Sequence, residues 1–207
     1  RDVRHQIERT PLVICLHSTN ADGLGPLEAV KTALENRRGQ LVIFVGNEVN
    51  IPLAPIADKI AFLNAVSADV VATQLMQEAG EWLYATVPSA SVISIPHALN
   101  PAVYTPGPQL SKRDIDIGGL TANYSPHIGD NDRLMLYQYF IENSDRQGIR
   151  TDLKIGTGRL ERADWASFLR RCKGTIATEA GSAYLDRNDA LMHRVQELVK
   201  KHRHKSL

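Results

Sequence analysis

Short runs of apolar residues alternate with amphipathic stretches along the chain. Residues 11–16 (PLVICL) and 41–45 (LVIFV) are continuous apolar runs of strand length. A strand that is buried on both faces of a parallel sheet has this pattern. Between the two runs, Leu27, Val30 and Leu34 recur at helical spacing. The alternation predicts repeated strand–helix units, which are typical of an α/β fold.

The same rhythm predicts the remaining elements. Residues 1–10 are polar, and the pattern predicts no structure for them. The second half has only three clear strands, fewer than a doubly wound domain normally has, so we expect it to be incomplete. Further strands are predicted at 69–72, 91–95, 114–120, 151–155 and 174–177. A helix is predicted to begin at Pro26, in a region that Gly39 closes, and further helices are predicted from 55 onward and at 74–84, 132–143, 162–171 and 191–201.

A Pro-rich segment connects the two halves. Pro101, Pro106 and Pro108 hold the backbone extended, because each fixes φ and removes an amide donor. A joint of this kind usually separates two domains. The sequence therefore predicts two Rossmann-like, doubly wound domains, residues 1–105 and 106–207, with the functional site in a cleft that the joint spans.

Composition and charge narrow the function classes. The chain has 207 residues and a formal net charge of +1, which argues against a dedicated nucleic-acid binder. Cys15 and Cys172 are interpreted as core residues in a reducing compartment. No apolar run approaches the length of a membrane span, and we expect a cytoplasmic protein. The basic residues 200–205 are a solvated helix end, a weak membrane-surface contact or a phosphate-binding segment.

The loops that follow strands in the second half contain residues suited to an anionic ligand, since ligands of open α/β sheets bind at the carboxyl ends of strands. Gly118 and Gly119 would let backbone amides approach a ligand, or would simply permit a tight turn. Arg133 lies in the first turn of a predicted helix, where it would bind a phosphate or be solvated.

Four further residues of these loops are candidates for the same ligand. Lys154 and Arg159 flank a Gly-Thr-Gly turn and could supply positive charge to a diphosphate, or be ordinary surface cations. Glu179 could accept hydrogen bonds from ribose or sugar hydroxyls. Asp186 could do so too, although a turn-capping role is the simpler explanation.

The first half contributes candidates for catalysis. His17 ends a predicted strand and Glu48 sits in a Gly-Asn-Glu turn, and either could contact a sugar or transfer a proton. A hydrogen-bonded structural role is the alternative for His17. His97 lies in the joint, where it would reach the cleft or pack the crossing segment. The sequence has no metal signature, no GxGxxG and no Walker motif.

Five segments in order resemble bacterial glycosyltransferases of the GT-B fold, most closely the family-four-like and spore-maturation CgeB-like group. The crossing segment is similar to that family's interdomain joint, with Ala98 and Asn100 in place of its Gly and Asp. The similar segments are FVGNE (44–48), ADVVATQLMQEAGEWLY (68–84), IPHALNPAVYTP (95–106), DIDIGGLTANYSPHIGDNDR (114–133) and TEAGSAYLDRND (178–189).

This resemblance implies transfer of a sugar from a nucleotide-sugar donor to a glycan or small-molecule acceptor, without a cofactor or a bound metal. The donor would bind to the second domain, and the anomeric configuration would be retained without a covalent intermediate. Family members usually continue past the equivalent of Val199 with a segment whose glutamate helps to hold the donor. Such a segment is missing here, so we expect a shortened relative, and a non-catalytic binding or scaffold module is the alternative.

Overall fold

The computed structural model describes residues 2–96, 98–123, 125, 128, 131–156, 158–178 and 184–202. It is an α/β fold with two parallel sheets, and it is compatible with a Rossmann-like fold. The chain divides into two compact units, Arg1–His97 with Tyr184–Leu207 and Ala98–Ala183. Among the described residues, no helix has both the length and the apolar character to cross a membrane.

The first unit contains a four-stranded sheet in the order β1-β2-β3-β4. All three strand pairs are parallel. Its elements are α1 (Val3–Arg9), β1 (Leu12–Cys15), α2 (Gly25–Glu28), α3 (Lys31–Glu35), β2 (Gln40–Phe44), α4 (Ile56–Ala65), β3 (Val70–Thr73), α5 (Gln77–Leu83), β4 (Ser91–Ser94) and α8 (Ala190–Lys201).

One face of this sheet carries the core of the first unit. Leu41, Ile43 and Val71 share that face and are buried. Ile56 and Phe62 of α4 belong to the same apolar cluster. Strands that follow each other in sequential order through right-handed crossovers place their helices on one side. The order β1-β2-β3-β4 and the burial pattern therefore both indicate that the connecting helices pack on one face of the first sheet.

The opposite face of the same sheet is apolar, and residues of its two edge strands, β1 and β4, are exposed there. In the pairing register, Ile14 lies beside Val42 on this face. Leu12 and Ile14 are 46% and 52% exposed, and Ile93 of β4 is 39% exposed. This is a departure from the doubly wound layer that the sequence predicts for the first half, since winding to both sides requires a reversal of strand order.

The second unit contains a three-stranded parallel sheet in the order β6-β5-β7. Here Gly118 and Gly119 of the central strand face Phe168 of α7 and Tyr137 of α6, respectively. Successive strand residues point to opposite faces, so α6 and α7 cover opposite sides of this sheet. The second sheet is thus doubly wound, and its elements are β5 (Ile115–Thr121), α6 (Asp132–Asn143), β6 (Thr151–Ile155), α7 (Arg162–Arg171) and β7 (Cys172–Thr175).

The segment that ends the described chain packs with the first unit. The Arg187 guanidinium lies 4.1 Å from the centre of the Trp82 ring. Asp189 accepts a hydrogen bond from the backbone N–H of Ile56, the first residue of α4. The boundary at residue 105 stays a prediction, whereas the contacts of residues 184–202 group them with the first unit rather than with the second.

Most of the predicted elements are confirmed. The predicted bounds of α6, β6 and α7 agree with the structure, and the three strands of the second half are present. Besides shifts of a few residues in other bounds, two elements differ from the prediction. Residues 1–10 contain α1. The Asp2 side chain caps its N-terminus by accepting a hydrogen bond from the Arg4 N–H. The single helix predicted between Pro26 and Gly39 is two short helices, α2 and α3.

Candidate functional site

An open pocket of about 430 Å³ lies in the second unit, at the carboxyl end of the central strand. Thr121 is the last residue of β5, and Arg133 belongs to the first turn of α6. In doubly wound sheets, this edge is where ligands bind, because the strand order reverses there. The lining consists of Leu120, Thr121, Ala122, Arg133, Gly158, Arg159, Leu160 and Trp165.

Arg133 links the first turn of α6 to the loop after β7 at this edge. Its Nε donates to the Thr178 Oγ1 at 3.0 Å, and its Nη2 donates to the Thr178 carbonyl oxygen at 3.2 Å. Thr178 follows β7, the strand next to β5 on the side opposite β6. These bonds orient the guanidinium, so that a planar, permanently charged group lines the pocket in a defined direction.

Cationic side chains and helix N-termini give the pocket a positive electrostatic potential. Arg133 and Arg159 are charged residues of its lining, and none of the described lining residues is acidic. The helices α6 and α7 both begin at this edge, and a helix N-terminus carries a partial positive charge. Asp132 and Asp164 in their first turns reduce this effect but do not line the pocket. The electrostatics suit an anionic ligand.

The rest of the lining is largely apolar. Leu120 and Leu160 contribute aliphatic surface, and Trp165 contributes an aromatic ring. The Trp165 ring stacks on Phe168 with centroids 5.4 Å apart and an interplanar angle of 21°. The pocket therefore combines cationic groups with an aromatic surface.

Gly118 and Gly119 do not lie where the sequence placed them. Both are inside β5 rather than at its end. A Cβ on Gly118 would lie 2.3 Å from the Cys172 Sγ, and one on Gly119 would lie 2.1 Å from the Tyr137 hydroxyl oxygen. Close packing of the helices and β7 against the central strand thus explains both glycines, and neither is a lining residue of the pocket.

The other residues that the sequence predicts to contact a ligand differ in where the structure places them. Lys154 pairs with Asp152 at 3.4 Å, and its side chain is 53% exposed. It is not among the residues that line the pocket. Asp186 accepts from the backbone N–H groups of Asn188 and Leu191, which supports its capping role. Glu179 and His97 lie outside the described residues, so their roles stay predictions.

Comparisons with protein-family models, with curated proteins and with solved structures give no match for this chain.

In the first unit, Glu48 belongs to a buried polar cluster. Its Oε1 accepts from the Thr73 hydroxyl at 2.5 Å and from the Tyr84 hydroxyl at 2.7 Å, while its Oε2 accepts from the Gln74 N–H at 3.3 Å. The residue is only 6% exposed. Three donors engage this carboxylate inside the unit, which supports a structural role, and the sugar contact or proton transfer expected of Glu48 stays a prediction.

Lys59 completes this cluster from α4. Its Nζ donates to the carbonyl oxygens of Gly46 and Asn47 at 2.6 and 2.7 Å. Burial lowers the pKa of Lys59 to about 8, and burial also raises the pKa of Glu48. Each pKa shifts in the direction that favours the neutral form of its side chain, because removing a charge from water is unfavourable. Each charge acts against the shift of the other.

His17 lies in a short turn at the end of β1, and its side chain is exposed. The loops after β1 and β2 are adjacent, because the Asn20 Oδ1 accepts from the Gly46 N–H at 2.9 Å. The structure thus places His17 at the surface, beside the loop that contains the buried Glu48. Among the described residues, no group of three His, Cys, Asp or Glu side chains could hold a metal ion.

Sequence reasoning missed Lys59 and Trp165, among other residues of these sites. Lys59 was missed although it carries a signal, since it lies between Ile56 and Leu63 at the helical spacing of a buried face. Trp165 was missed as a pocket residue because it lies within α7 and not in a loop that follows a strand. Nothing in the sequence distinguishes an aromatic ring that lines a pocket from one that fills a core.

Proposed function

We propose that this chain is a glycosyltransferase, or part of one, of GT-B architecture, and that it binds a nucleotide-sugar donor in the pocket of the second unit. The observation that carries the proposal is the convergence of Arg133, Arg159 and two helix N-termini on one pocket at the end of β5. A volume of about 430 Å³ lies within the range of small-molecule sites.

The chemistry of sugar transfer explains why such a pocket is needed. When the bond between the anomeric carbon and the diphosphate breaks, negative charge develops on the leaving diphosphate. Oriented cationic groups stabilise this charge, and they do so best when the protein already holds them in place. Arg133 meets that condition through its bonds to Thr178. In this proposal the reaction retains the anomeric configuration, and His17 is the candidate for proton transfer.

Binding of nucleotide sugars tests the proposal directly. A panel of nucleotide sugars is titrated into the chain by calorimetry, and released nucleotide is measured with candidate acceptors. We expect binding that Arg159→Ala weakens about tenfold, because one charged contact to a phosphate contributes about that much. Arg146→Ala removes the same charge from a turn outside the pocket and should bind like the parent chain.

Arg133→Ala is a second variant, in which the loss of the Thr178 contact is checked by thermal unfolding. A parent chain that binds none of the nucleotide sugars, or an Arg159→Ala variant that binds them like Arg146→Ala, would contradict the proposal.

A non-catalytic binding module derived from a glycosyltransferase is the second candidate. It is favoured by the burial of Glu48, which removes one of the two residues predicted for catalysis from the surface. Binding of nucleotide sugars without release of nucleotide, with every acceptor in the panel, would support this candidate over the enzyme.

A further inference from the structure

The aromatic ring of Trp165 occupies a position that the charges of the pocket do not explain. It lies in the first turns of α7 and shares the pocket lining with Leu120 and Leu160. A site that bound only phosphate would need cationic and hydrogen-bonding groups there. An indole ring instead offers a large flat surface with one N–H donor.

Packing behind the ring holds it in place. Trp165 stacks on Phe168, and Phe168 is 9% exposed and packs against Cys172 in the core of the unit. Phe168 can lie this close to the sheet because Gly118 has no side chain, as a Cβ there would be 2.9 Å from the Phe168 Cζ. The structure therefore supports Trp165 with a second ring and a glycine of the central strand.

Cationic and aromatic groups in one pocket match a ligand that is anionic at one end and flat at the other. Arg133 and Arg159 supply the positive charge, and Trp165 supplies the flat surface. Nucleotides have this combination, since a base stacks on an aromatic side chain and its phosphates bind to guanidinium groups. Sugar phosphates and inorganic pyrophosphate have only the anionic end.

We propose that Trp165 is the stacking platform for the base of a nucleotide, and that it gives this pocket its preference for nucleotides over non-aromatic phosphates. This inference rests on the binding site of the proposed function but not on sugar transfer. Because every base has a π-face, stacking alone tolerates different bases. Stacking of one base on an aromatic side chain corresponds to roughly a 5- to 150-fold change in affinity.

Fluorescence of the ring itself provides the first measurement. The chain has two tryptophans, and Trp82→Phe leaves Trp165 as the single one while retaining an aromatic ring beside Arg187. We expect UDP, ADP and GDP to quench the Trp165 emission in this background. Pyrophosphate should compete with these nucleotides without comparable quenching, because it has no base. Nucleotide binding that leaves the emission unchanged would contradict the proposal.

Substitution of the ring provides the second measurement. We expect Trp165→Leu to weaken the binding of nucleoside diphosphates at least fivefold and to change pyrophosphate binding less than twofold, while Trp165→Phe recovers part of the loss. Arg159→Ala should weaken both ligands. Equal losses for nucleotide and pyrophosphate in Trp165→Leu would assign the ring a structural role and overturn the inference.

Different results would contradict the proposed glycosyltransferase activity and the proposed role of Trp165. Nucleotide binding that depends on Trp165, without transfer or release of sugar, would leave this inference intact and contradict the enzyme. Sugar transfer that is insensitive to Trp165→Phe and Trp165→Leu would contradict this inference alone. If Trp165→Leu does not fold, as judged by circular dichroism, Trp165→Phe and the quenching experiment decide between these outcomes.

Discussion

The Asp189 carboxylate accepts a hydrogen bond from the backbone N–H of Ile56 at 2.7 Å, although 133 positions separate the two residues in the sequence. Ile56 begins α4, and Pro55 before it provides no side-chain cap. The first N–H groups of a helix have no partners within the helix. Asp189 therefore caps α4 from a distant part of the chain and fastens the segment before α8 to the first unit.

Loss of this cap should weaken both the helix and the attachment of the last segment. We expect Asp189→Ala to lower the free energy of unfolding by about 1–2 kcal/mol. The backbone φ of 56° at this position adds strain for alanine. The measurement is urea unfolding, together with proteolysis of residues 184–202, which should become faster.

Asp189→Asn is the control for this prediction. Asparagine tolerates the same backbone conformation and keeps an oxygen that can accept from Ile56. Burial raises the pKa of Asp189, so the neutral amide also avoids the desolvation of a charge. We expect the stability of Asp189→Asn to be within about 0.5 kcal/mol of the parent chain. An equal loss in both variants would refute capping as the cause.

A double-mutant cycle should detect coupling between Glu48 and Tyr84. The Tyr84 hydroxyl donates to the Glu48 Oε1 at 2.7 Å inside the first unit. Hydrogen bonds to charged groups contribute about 1.5–3 kcal/mol to stability. We expect a coupling energy of about 2 kcal/mol from Glu48→Ala and Tyr84→Phe, measured by urea unfolding. The same cycle with Tyr139→Phe, at an exposed ring of the second unit, should give a coupling near zero.

The pKa of Lys59 predicts a window of pH dependence. Lysine in an unfolded chain titrates near pH 10.4, whereas burial lowers the pKa of Lys59 to about 8 in the folded state. Between these values the unfolded chain binds more protons, so stability gains a contribution from Lys59 as the pH rises. Compared with Lys59→Met, the parent chain should gain about 1.5 kcal/mol between pH 8 and 9.5.

The comparison ends at pH 9.5 because burial raises the pKa of Tyr84, and tyrosines of the unfolded chain ionise above that pH with the opposite effect on stability. Each variant is unfolded in urea at several pH values. Parallel stability curves for the parent and Lys59→Met would show that the titration of Lys59 does not contribute.

Substitution of Gly119 should overpack the second unit. The Cβ of an alanine there would lie 2.1 Å from the Tyr137 hydroxyl oxygen. Overpacking of this kind costs about 1–3 kcal/mol. Thermal unfolding should show that loss for Gly119→Ala, and Tyr137→Phe should reduce it because the colliding oxygen is removed. Gly158→Ala, where no atom lies within 4 Å, should be nearly neutral.

Prediction from sequence was most successful where local signals determine the structure. The bounds of α6 and α7 follow from apolar spacing, and β6 follows from a run between polar turns. The position of Arg133 at a helix start was also predicted, and it is the residue that links the pocket to the loop after β7.

The failures have a common physical cause. Whether Glu48 points into the unit or out of it depends on Thr73 and Tyr84, which come from β3 and from the end of α5. Gly118 and Gly119 look alike in the sequence whether a ligand or a neighbouring ring requires them. In each case the deciding contact is distant along the chain, so that periodicity and local spacing do not contain it.

The exposed apolar residues on one face of the first sheet have a practical consequence. Dyes such as anilinonaphthalene sulfonate fluoresce on apolar surface, and their emission is commonly used to diagnose partly folded states. With Leu12, Ile14 and Ile93 open to water on one surface, the native chain itself should bind such a dye. Ile14→Thr should dim the emission without changing the near-ultraviolet circular dichroism. For this protein, a bright dye signal is therefore a property of the correctly folded state and no sign of a molten one.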